Sequence, residues 1–319
     1  MVGRLLRVTS LLVILLATVF AVWLIDLGLH PALAVVLGLA LPLVMHALPL
    51  GIEFVVGAVV DRRPAARLGI AEGIKLWLTE SWRSFEVFNI DQPWRATFAE
   101  RNIVADPARP AVLMIHGYMC NRATWRSWVR KGLPATWNVA TVNLEPAIAP
   151  IEDYAASIDE AIFQLRAASG ASRVTLICHS MGGLAARGYL RAYGIESVNK
   201  LITIDTPHQG TVFARFARGA NTRQMRRDCD YVQQLAKHTA AVDIICFASQ
   251  HDNLIVPRDS QILEGAEAVW FEKIGHLAMT ANAAVLARLI QAVEEPLASV
   301  VPENAGQAFA PSGMAPAQG

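Results

Sequence analysis

The segment RVTLICHSMGGLAARGYL, residues 173 to 190, is the feature that most restricts how this chain can fold. It begins with an apolar run of strand length, and residues 181 to 193 have the composition of a helix. Ser180 lies between the two, with the small residues Cys178 and Gly182 two positions to either side. A strand that turns sharply into a helix needs small neighbours there, because the two backbones approach closely. The segment therefore predicts a serine held above the edge of a sheet, at the amino end of a helix.

The rest of the central sequence alternates between strand-like and helix-like segments. Short apolar runs that predict strands lie at residues 110–117, 137–144, 198–204, 242–249 and 268–274. Apolar residues at helical spacing predict helices over residues 151–168 and 278–295. Strands that alternate with helices indicate an α/β fold, with a mostly parallel sheet covered on both faces.

The amino-terminal region has the composition of a membrane segment. Between Arg7 and Glu53 the only formally charged residue is Asp26. Residues 8–25 and 32–52 are each about as long as the roughly 20 residues that cross a bilayer. A cleaved signal peptide is the alternative for the first run, but that run continues past the cleavage-like sequence and a second run follows. We therefore predict a retained transmembrane helical hairpin.

Basic residues predict how this hairpin is oriented. Arg4 and Arg7 precede the first run, whereas Arg62, Arg63 and Arg67 follow the second. The short connection between the runs contains no Lys or Arg. Since basic flanks favour the cytoplasmic side, we expect an inner or cytoplasmic membrane location, with the rest of the chain facing the cytoplasm.

The composition suggests four regions. These are a membrane anchor (1–60), an aromatic-rich junction (61–105), an α/β domain (106–295) with a cap segment (211–241), and a disordered tail (296–319). The junction aromatics suit either a membrane interface or the edge of the domain core; they are Trp77, Trp82, Phe85, Phe88, Trp94 and Phe98. The net charge of +1 argues against a nucleic-acid partner.

The four cysteines leave two possibilities open. None has the spacing of a zinc site, and four reduced thiols suit a cytoplasmic domain. A bridge between Cys120 and Cys229 remains compatible with the sequence.

A serine nucleophile needs a base, and the base needs an acid to orient it. Asp252 follows the strand-like run 242–249, and His276 follows the next run, so both fall after later strands in the order Ser, Asp, His. Asp205 and Asp259 are alternatives for the acid. His251 and His179 are less suitable bases, because one adjoins Asp252 in the same loop and the other adjoins the serine. We predict Ser180, Asp252 and His276 as a catalytic set.

Acyl transfer also needs hydrogen-bond donors for the oxyanion. The backbone N–H of Met181, directly after the serine, is one candidate. The backbone N–H of Tyr118 is the other, in the loop after the first domain strand, where Gly117 permits close approach. His116, Gly117 and Gly182 are predicted to support this arrangement.

Three motifs give the chain a resemblance to α/β-hydrolase fold serine esterases, and among them to bacterial triacylglycerol lipases. They are HG at 116–117, CHSMGG at 178–183 and DTPHQGT at 205–211. The resemblance covers roughly residues 110 to 280. It implies the same triad of Ser180, Asp252 and His276, and an oxyanion hole at Tyr118 and Met181.

The sequence also departs from such lipases. Cys178 replaces a glycine, Asp205 stands where glycine is common, and the cap segment is rich in arginine (Arg215, Arg218, Arg223, Arg226 and Arg227). Some lipases carry calcium near the acid, but the residues here predict no metal and no cofactor. The expected function is hydrolysis of carboxylic esters, with a lipid-derived substrate and the bilayer as partners. Thioesterase, acyltransferase and catalytically idle scaffold remain alternatives.

Overall fold

The computed structural model describes residues 1–96, 103–237 and 242–296, and its centre is a six-stranded sheet. All strands are parallel, in the order β2-β1-β3-β4-β5-β6. They are β1 (Ala111–Ile115), β2 (Asn138–Val142), β3 (Val174–His179), β4 (Val198–Ile204), β5 (Asp243–Ser249) and β6 (Glu267–Phe271). Each predicted strand is present, and most are shorter than their apolar run.

Ten α-helices accompany the sheet in the part of the chain that is described. They are α1 (Val2–Asp26), α2 (Pro31–Val60), α3 (Ile70–Phe85), α4 (Gln92–Trp94), α5 (Arg126–Lys131), α6 (Ala155–Ser169), α7 (Met181–Tyr193), α8 (Ala220–Gln224), α9 (Asp230–Ala236) and α10 (Ala283–Glu294). The closing helix begins at residue 283 rather than 278, because residues 278–281 form a 3₁₀ turn. Asn282 then caps α10 by accepting a hydrogen bond from the N–H of Ala284 at 2.8 Å.

The sheet is buried on both faces, as parallel sheets usually are. Leu176 and Cys178 on β3 pack into a core cluster with residues of α6 and α7. Ile177, between them in sequence, points to the other face and packs in a cluster with Trp125, Trp128 and α10. All six residues of β3 are buried, which explains why its sequence is a continuous apolar run.

α1 and α2 are both long and apolar enough to cross a membrane. Their 25 and 30 residues correspond to about 37 and 45 Å, against a hydrocarbon core of about 30 Å. The two helices pack closely where Gly38 faces Ala17 and Ala21, since a Cβ at Gly38 would lie 2.9 Å from that of Ala21. α2 also continues eight residues beyond the predicted second span, to Val60.

The aromatic junction contains α3, which packs along α2. The Trp77 indole donates a hydrogen bond to the carbonyl of Ala47 in α2, at 2.8 Å. Trp82 and Trp94 are 60% and 49% exposed, so they do not cover the domain core. Phe98 lies outside the described residues, as does nearly all of the predicted tail, from 297 to 319.

All four cysteines are free thiols, so the structure contains no bridge between Cys120 and Cys229. Cys120 is buried beside the Gln92 side chain, whereas the Cys229 thiol donates to the carbonyl of Gln224.

The end of α10 is fixed to the amino end of the sheet by a buried lysine. Lys200, near the start of β4, donates from Nζ to the carbonyl of Ala292 at 2.5 Å and to that of Glu295 at 3.2 Å. A cation at the last turn of a helix satisfies carbonyls that have no partner within the helix. Ser180, in contrast, follows the carboxyl end of β3 at the opposite edge.

Candidate active site

Ser180 occupies a strained backbone conformation at the junction of β3 and α7. Its φ of 55° and ψ of −127° are rare for a residue with a side chain. The backbone N–H of Ser180 donates to the carbonyl of Ile204 at 2.8 Å, which fixes the turn to the end of β4. Strain of this kind persists where the surroundings determine the conformation, and it is concentrated at functional sites.

The glycines after the serine lie in close contacts, Gly182 with backbone atoms and Gly183 with the Thr206 side chain. A Cβ at Gly182 would lie 2.6 Å from the carbonyl oxygen of Ile115 and 2.7 Å from that of His116. At Gly183 it would lie 2.2 Å from Thr206 Oγ1. The end of β1 therefore packs directly on the first turn of α7, as the small residues around Ser180 indicate.

His116 orients the peptide group that carries the predicted second oxyanion donor. Its Nε2 accepts a hydrogen bond from the N–H of Leu144 at 3.1 Å, so the ring proton must lie on Nδ1. Nδ1 lies 2.9 Å from the carbonyl oxygen of Gly117. Burial lowers the pKa of His116 to about 4, which keeps the ring neutral. The Gly117 carbonyl and the Tyr118 N–H belong to one trans peptide, in which they point in opposite directions. By holding the carbonyl, His116 therefore also fixes the direction of the Tyr118 N–H.

His276 and Asp252 form a short, buried hydrogen bond. His276 Nδ1 lies 2.7 Å from Asp252 Oδ2, while Asp252 Oδ1 accepts from the N–H groups of Leu254 and Ile255 at 2.6 and 2.7 Å. Burial opposes the charge on Asp252, but the charge of His276 and these hydrogen bonds hold its pKa below the ordinary value. Burial likewise opposes the charge on His276, but Asp252 raises the pKa of the imidazole above 6.5.

Asp205 lies beside this pair as a second, weaker neighbour. Its Oδ2 is 3.8 Å from His276 Nδ1, beyond hydrogen-bond distance, while its Oδ1 accepts from the N–H of Ser249 at 2.9 Å. Burial and then the charge of Asp252 raise the pKa of Asp205 well above its ordinary value. Two carboxyls this close disfavour a second negative charge, and the hydrogen bond to His276 favours the charge on Asp252.

The other candidates from the sequence take no part in the hydrogen bond between Asp252 and His276. Asp259 is exposed, and His251 accepts a hydrogen bond from the N–H of Lys273 at 3.0 Å. His179 lines the same cavity as Ser180, but its Nε2 lies 3.1 Å from the carbonyl oxygen of His276 and its ring centroid 4.6 Å from that of His276. His208, in the TPHQG motif, lies beneath α7 with Thr203 and Arg187, at 3.1 and 3.3 Å.

Two acidic residues of the amino-terminal helices also reach the loops of the site, and neither belongs to a motif in the sequence. Glu53 on α2 accepts a hydrogen bond from Asn253, directly after Asp252. Glu80 on α3 accepts from the backbone that follows His276. Both are separated from their partners by about 200 positions, so no local pattern could have indicated them.

An apolar cavity of about 220 Å³ contains the serine and the histidine. Ser180, His276 and Tyr118 are among its lining residues. Most of the remaining wall is apolar and includes Phe88, Met119, Phe213, Met225, Leu254, Ile255 and Leu277. Such a wall fits a hydrocarbon group placed next to a nucleophile.

The cap segment contributes to this cavity and presents arginines on its outer surface. Phe213, Ala217 and Met225 line the cavity, and the Tyr118 hydroxyl donates to the carbonyl of Arg218 at 2.7 Å. Of the cap arginines, Arg226 is half-buried; the exposed ones are Arg215, Arg218, Arg223 and Arg227. Phe216 is 82% exposed and is the one large apolar residue so exposed among described positions 211–237.

Asp205, Asp252 and His276 could also be considered as metal ligands, because their ligand atoms lie within 4.8 Å of one another. Two ligands at about 2.0 to 2.1 Å from a tetrahedral zinc would be separated by roughly 3.3 Å. The 2.7 Å between His276 Nδ1 and Asp252 Oδ2 is shorter and is the distance of a hydrogen bond. The distance between His276 Nδ1 and Asp252 Oδ2 therefore suits a hydrogen bond better than two ligands of one metal ion.

Comparison with known sequences gives one family match that includes the serine turn, and short matches to two lipases. Residues 111–241 match the family model described as palmitoyl protein thioesterase. A triacylglycerol lipase from Pseudarthrobacter phenanthrenivorans is 47% identical over 55 residues, which cover 17% of each chain. One from Burkholderia plantarii is 47% identical over 55 residues, covering 17% of this chain and 15% of that protein. The match thus spans less than a fifth of these relatives.

Comparison with solved structures identifies the fold. Aspergillus fumigatus lipase B aligns with a TM-score of 0.51 and 18% identity, covering 60% of this chain and 54% of that chain. The mature form of Bacillus licheniformis lipase BlEst2 aligns with a TM-score of 0.52 and 14% identity, covering 61% of this chain and 96% of that chain. The chain therefore has an α/β-hydrolase fold, and this prediction is confirmed.

Proposed function

We propose that this chain is a serine hydrolase that cleaves carboxylic esters through an acyl-enzyme. One observation carries the proposal: Ser180 and His276 line the same apolar cavity, and Nδ1 of His276 is hydrogen-bonded to a buried carboxylate. The local sequence match to two triacylglycerol lipases supports the same reaction class.

In the proposed mechanism, the Asp252 carboxylate selects the tautomer of His276 that has its proton on Nδ1. Nε2 is then free to take the proton of Ser180 as Oγ attacks the ester carbonyl. The resulting imidazolium returns this proton to the leaving alcohol, and the acyl group stays on Oγ. Water repeats the sequence, with its proton taken by His276, and releases the acid. Asp252 stabilises the imidazolium in both halves of the reaction.

The oxyanion is stabilised in this proposal by the backbone N–H groups of Met181 and Tyr118. Met181 is the first residue of α7, where the helix dipole adds to the effect. Tyr118 N–H is oriented through the Gly117 carbonyl, which His116 holds. Loss of one such donor typically costs about 3 to 4 kcal/mol of transition-state stabilisation.

The apolar cavity and the helical hairpin favour a lipid-derived substrate. Its acyl chain would contact Phe213, Met225 and Leu254. A hairpin in the bilayer would hold the cavity near such substrates, with the exposed Trp82 and Trp94 at the interface. In this proposal both ends of the hairpin lie on the cytoplasmic side.

Hydrolysis of thioesters is a second candidate, and the match of residues 111–241 to the palmitoyl protein thioesterase model favours it. The same triad performs both reactions, because each passes through a tetrahedral oxyanion. A thiolate leaves more readily than an alkoxide, so the two substrates differ in their need for proton donation by His276. Comparing kcat/KM for an oxyester and a thioester of the same acyl group separates the two functions.

The first test is fluorophosphonate labelling of the detergent-purified full chain, with hydrolysis of C2 to C16 p-nitrophenyl esters. Wild-type protein and the variant Ser172→Ala, which changes an exposed serine in a loop, should be labelled and active. Ser180→Ala should lose both properties. A folded wild-type protein that is neither labelled nor active would contradict the proposal and support an idle scaffold instead.

A further inference from the structure

α3, which precedes the sheet, reaches the loop that carries His276. Glu80 on this helix is 1% exposed. Its Oε1 accepts a hydrogen bond from the N–H of Leu277 at 2.8 Å, and its Oε2 accepts from the N–H of Ala278 at 2.9 Å. One carboxyl group therefore holds the two peptide N–H groups that directly follow the histidine.

The residue before the histidine is shaped to receive the same carboxyl group. A Cβ at Gly275 would lie 2.5 Å from Oε2 of Glu80 and 2.7 Å from its Cδ. A larger residue would require the Glu80 side chain to move, so Glu80 contacts the chain on both sides of His276. This close fit makes the carboxyl group a fixed point for the loop.

α2 makes a parallel set of contacts with the loop that carries Asp252. Glu53 Oε2 accepts from Asn253 Nδ2 at 2.6 Å, and Asn253 Oδ1 accepts from the backbone N–H of His276 at 3.1 Å. Arg258 donates from Nε to the carbonyl of Asp252 at 3.0 Å and from Nη1 to that of Gly57 in α2 at 3.1 Å. The amino-terminal helices thus contact the acid loop and the histidine loop.

We propose that Glu80 is a positioning residue that sets the place of His276 relative to Ser180, so that α3 is part of the active site. This inference rests on the proposed serine hydrolase function. Glu80 does not touch the reacting atoms; it acts through the backbone at Leu277 and Ala278. Displacement of a catalytic group by about 1 Å can lower the rate about 100-fold.

The decisive variant is Glu80→Gln in the full chain. Glutamine keeps the size of the side chain but replaces one acceptor oxygen with an NH₂ group, which then faces a backbone N–H. We expect kcat on a p-nitrophenyl ester to fall at least about 10-fold, with KM nearly unchanged because the acyl wall of the cavity is intact. Each rate is divided by the concentration of serine sites labelled by fluorophosphonate once the labelling reaction is complete. Unfolded protein, which is not labelled, is thereby left out of kcat.

Glu72→Gln is the matched control, because Glu72 lies on α3 and reaches the same loop through an exposed pair with Lys273. Exposed ion pairs contribute little, so this variant should keep the wild-type kcat. A Glu80→Gln protein with the wild-type kcat per labelled site would overturn the inference, even if fewer sites were present. An inactive, unlabelled wild-type protein would instead overturn the proposed function.

Gly275→Ala tests the inference from the side of the loop if Glu80→Gln does not fold. The added methyl group would contact the Glu80 carboxyl, while Glu80, Leu277 and Ala278 themselves stay unchanged. We expect a lower kcat per labelled site here too, and an unchanged kcat would count against Glu80 as a positioning residue.

Discussion

The two sides of the active-site cavity are held in place in different ways. On the nucleophile side, Ser180 is fixed by backbone contacts, and Gly182 lies so close to β1 that a methyl group does not fit. On the acid and histidine side, buried side chains from α2 and α3 hold the loops through hydrogen bonds. The Ser180 turn, the shape-dependent side, relies on close packing. The Asp252 and His276 loops, the polar side, rely on hydrogen bonds. Substitutions on the two sides should therefore have different effects on stability and on activity.

The largest expected effect is on the polar side, from Asp252→Asn. The asparagine oxygen would still accept from the N–H groups of Leu254 and Ile255, which leaves its NH₂ group facing His276 Nδ1. This selects the tautomer with the proton on Nε2, which cannot act as a base. We expect kcat to fall by about 10⁴, measured by ester hydrolysis, with little change in thermal stability. A loss below about 10-fold would show that another acid orients His276.

Gly182→Ala tests the shape-dependent side. Its Cβ would lie 2.6 Å from a backbone oxygen of β1, which cannot move without shifting the sheet. We expect a loss of about 3 kcal/mol in the free energy of unfolding, seen in denaturant titrations in detergent.

Gly73→Ala is the control for this change, because nothing lies within 4 Å of the position where its Cβ would be. It lies inside α3 and should stabilise the protein by about 0.5 to 1 kcal/mol. Equal effects of the two substitutions would contradict the role assigned to the close contact at Gly182.

The pH dependence of kcat/KM reports on the polar side as a whole. The groups that face His276 are Asp252, Asp205, Glu80, Glu53 and His179. Asp252 raises the pKa of His276, and the base must be neutral to act, so activity falls as the pH drops through a midpoint above 6.5. Below this midpoint kcat/KM should fall about 10-fold per pH unit. A midpoint well below 6.5 would contradict the assignment of His276 as the base beside a charged Asp252.

The smallest expected effect is that of Asp205→Asn. Asp205 has φ of 48°, a conformation that asparagine also tolerates, and burial and the charge of Asp252 raise the pKa of its carboxyl, which favours the uncharged form. An asparagine is also uncharged, and its amide oxygen can accept from the N–H of Ser249 as Asp205 Oδ1 does. Activity should therefore stay within about 5-fold of wild type, which kinetics alongside Asp252→Asn would check. A loss comparable to that of Asp252→Asn would assign the charge to Asp205 instead.

The same contrast explains how far the sequence predicts the structure. The turn at Ser180 and the strands are encoded by neighbouring residues, so their positions could be read from apolar runs and small residues. Asp252 and His276 could be placed after β5 and β6 for the same reason. The sequence also favoured Asp252 over Asp205, but it could not indicate that both would lie beside one imidazole.

The amino-terminal helices were harder to interpret. Their apolar composition predicts a hairpin, and two helices of suitable length are present. However, Glu53 lies just beyond the predicted second span, and Glu80 lies in a junction defined only by its aromatics. Their partners are about 200 positions away, and such pairs leave no periodicity in the sequence. The boundaries assigned to the anchor, the junction and the cap stay predictions.

Lys200, the buried lysine near the start of β4, has a practical consequence for labelling. Lys200 holds the last turn of α10 at the amino end of β4, so Glu295 lies at that end of the sheet. Four residues of β4 separate Lys200 from the edge that carries the active site, a distance of about 13 Å. A fluorophore or immobilisation tag attached near residue 296 is therefore anchored on the side of the protein away from the cavity. Surface-tethered assays can then present the cavity and the hairpin together to a supported bilayer.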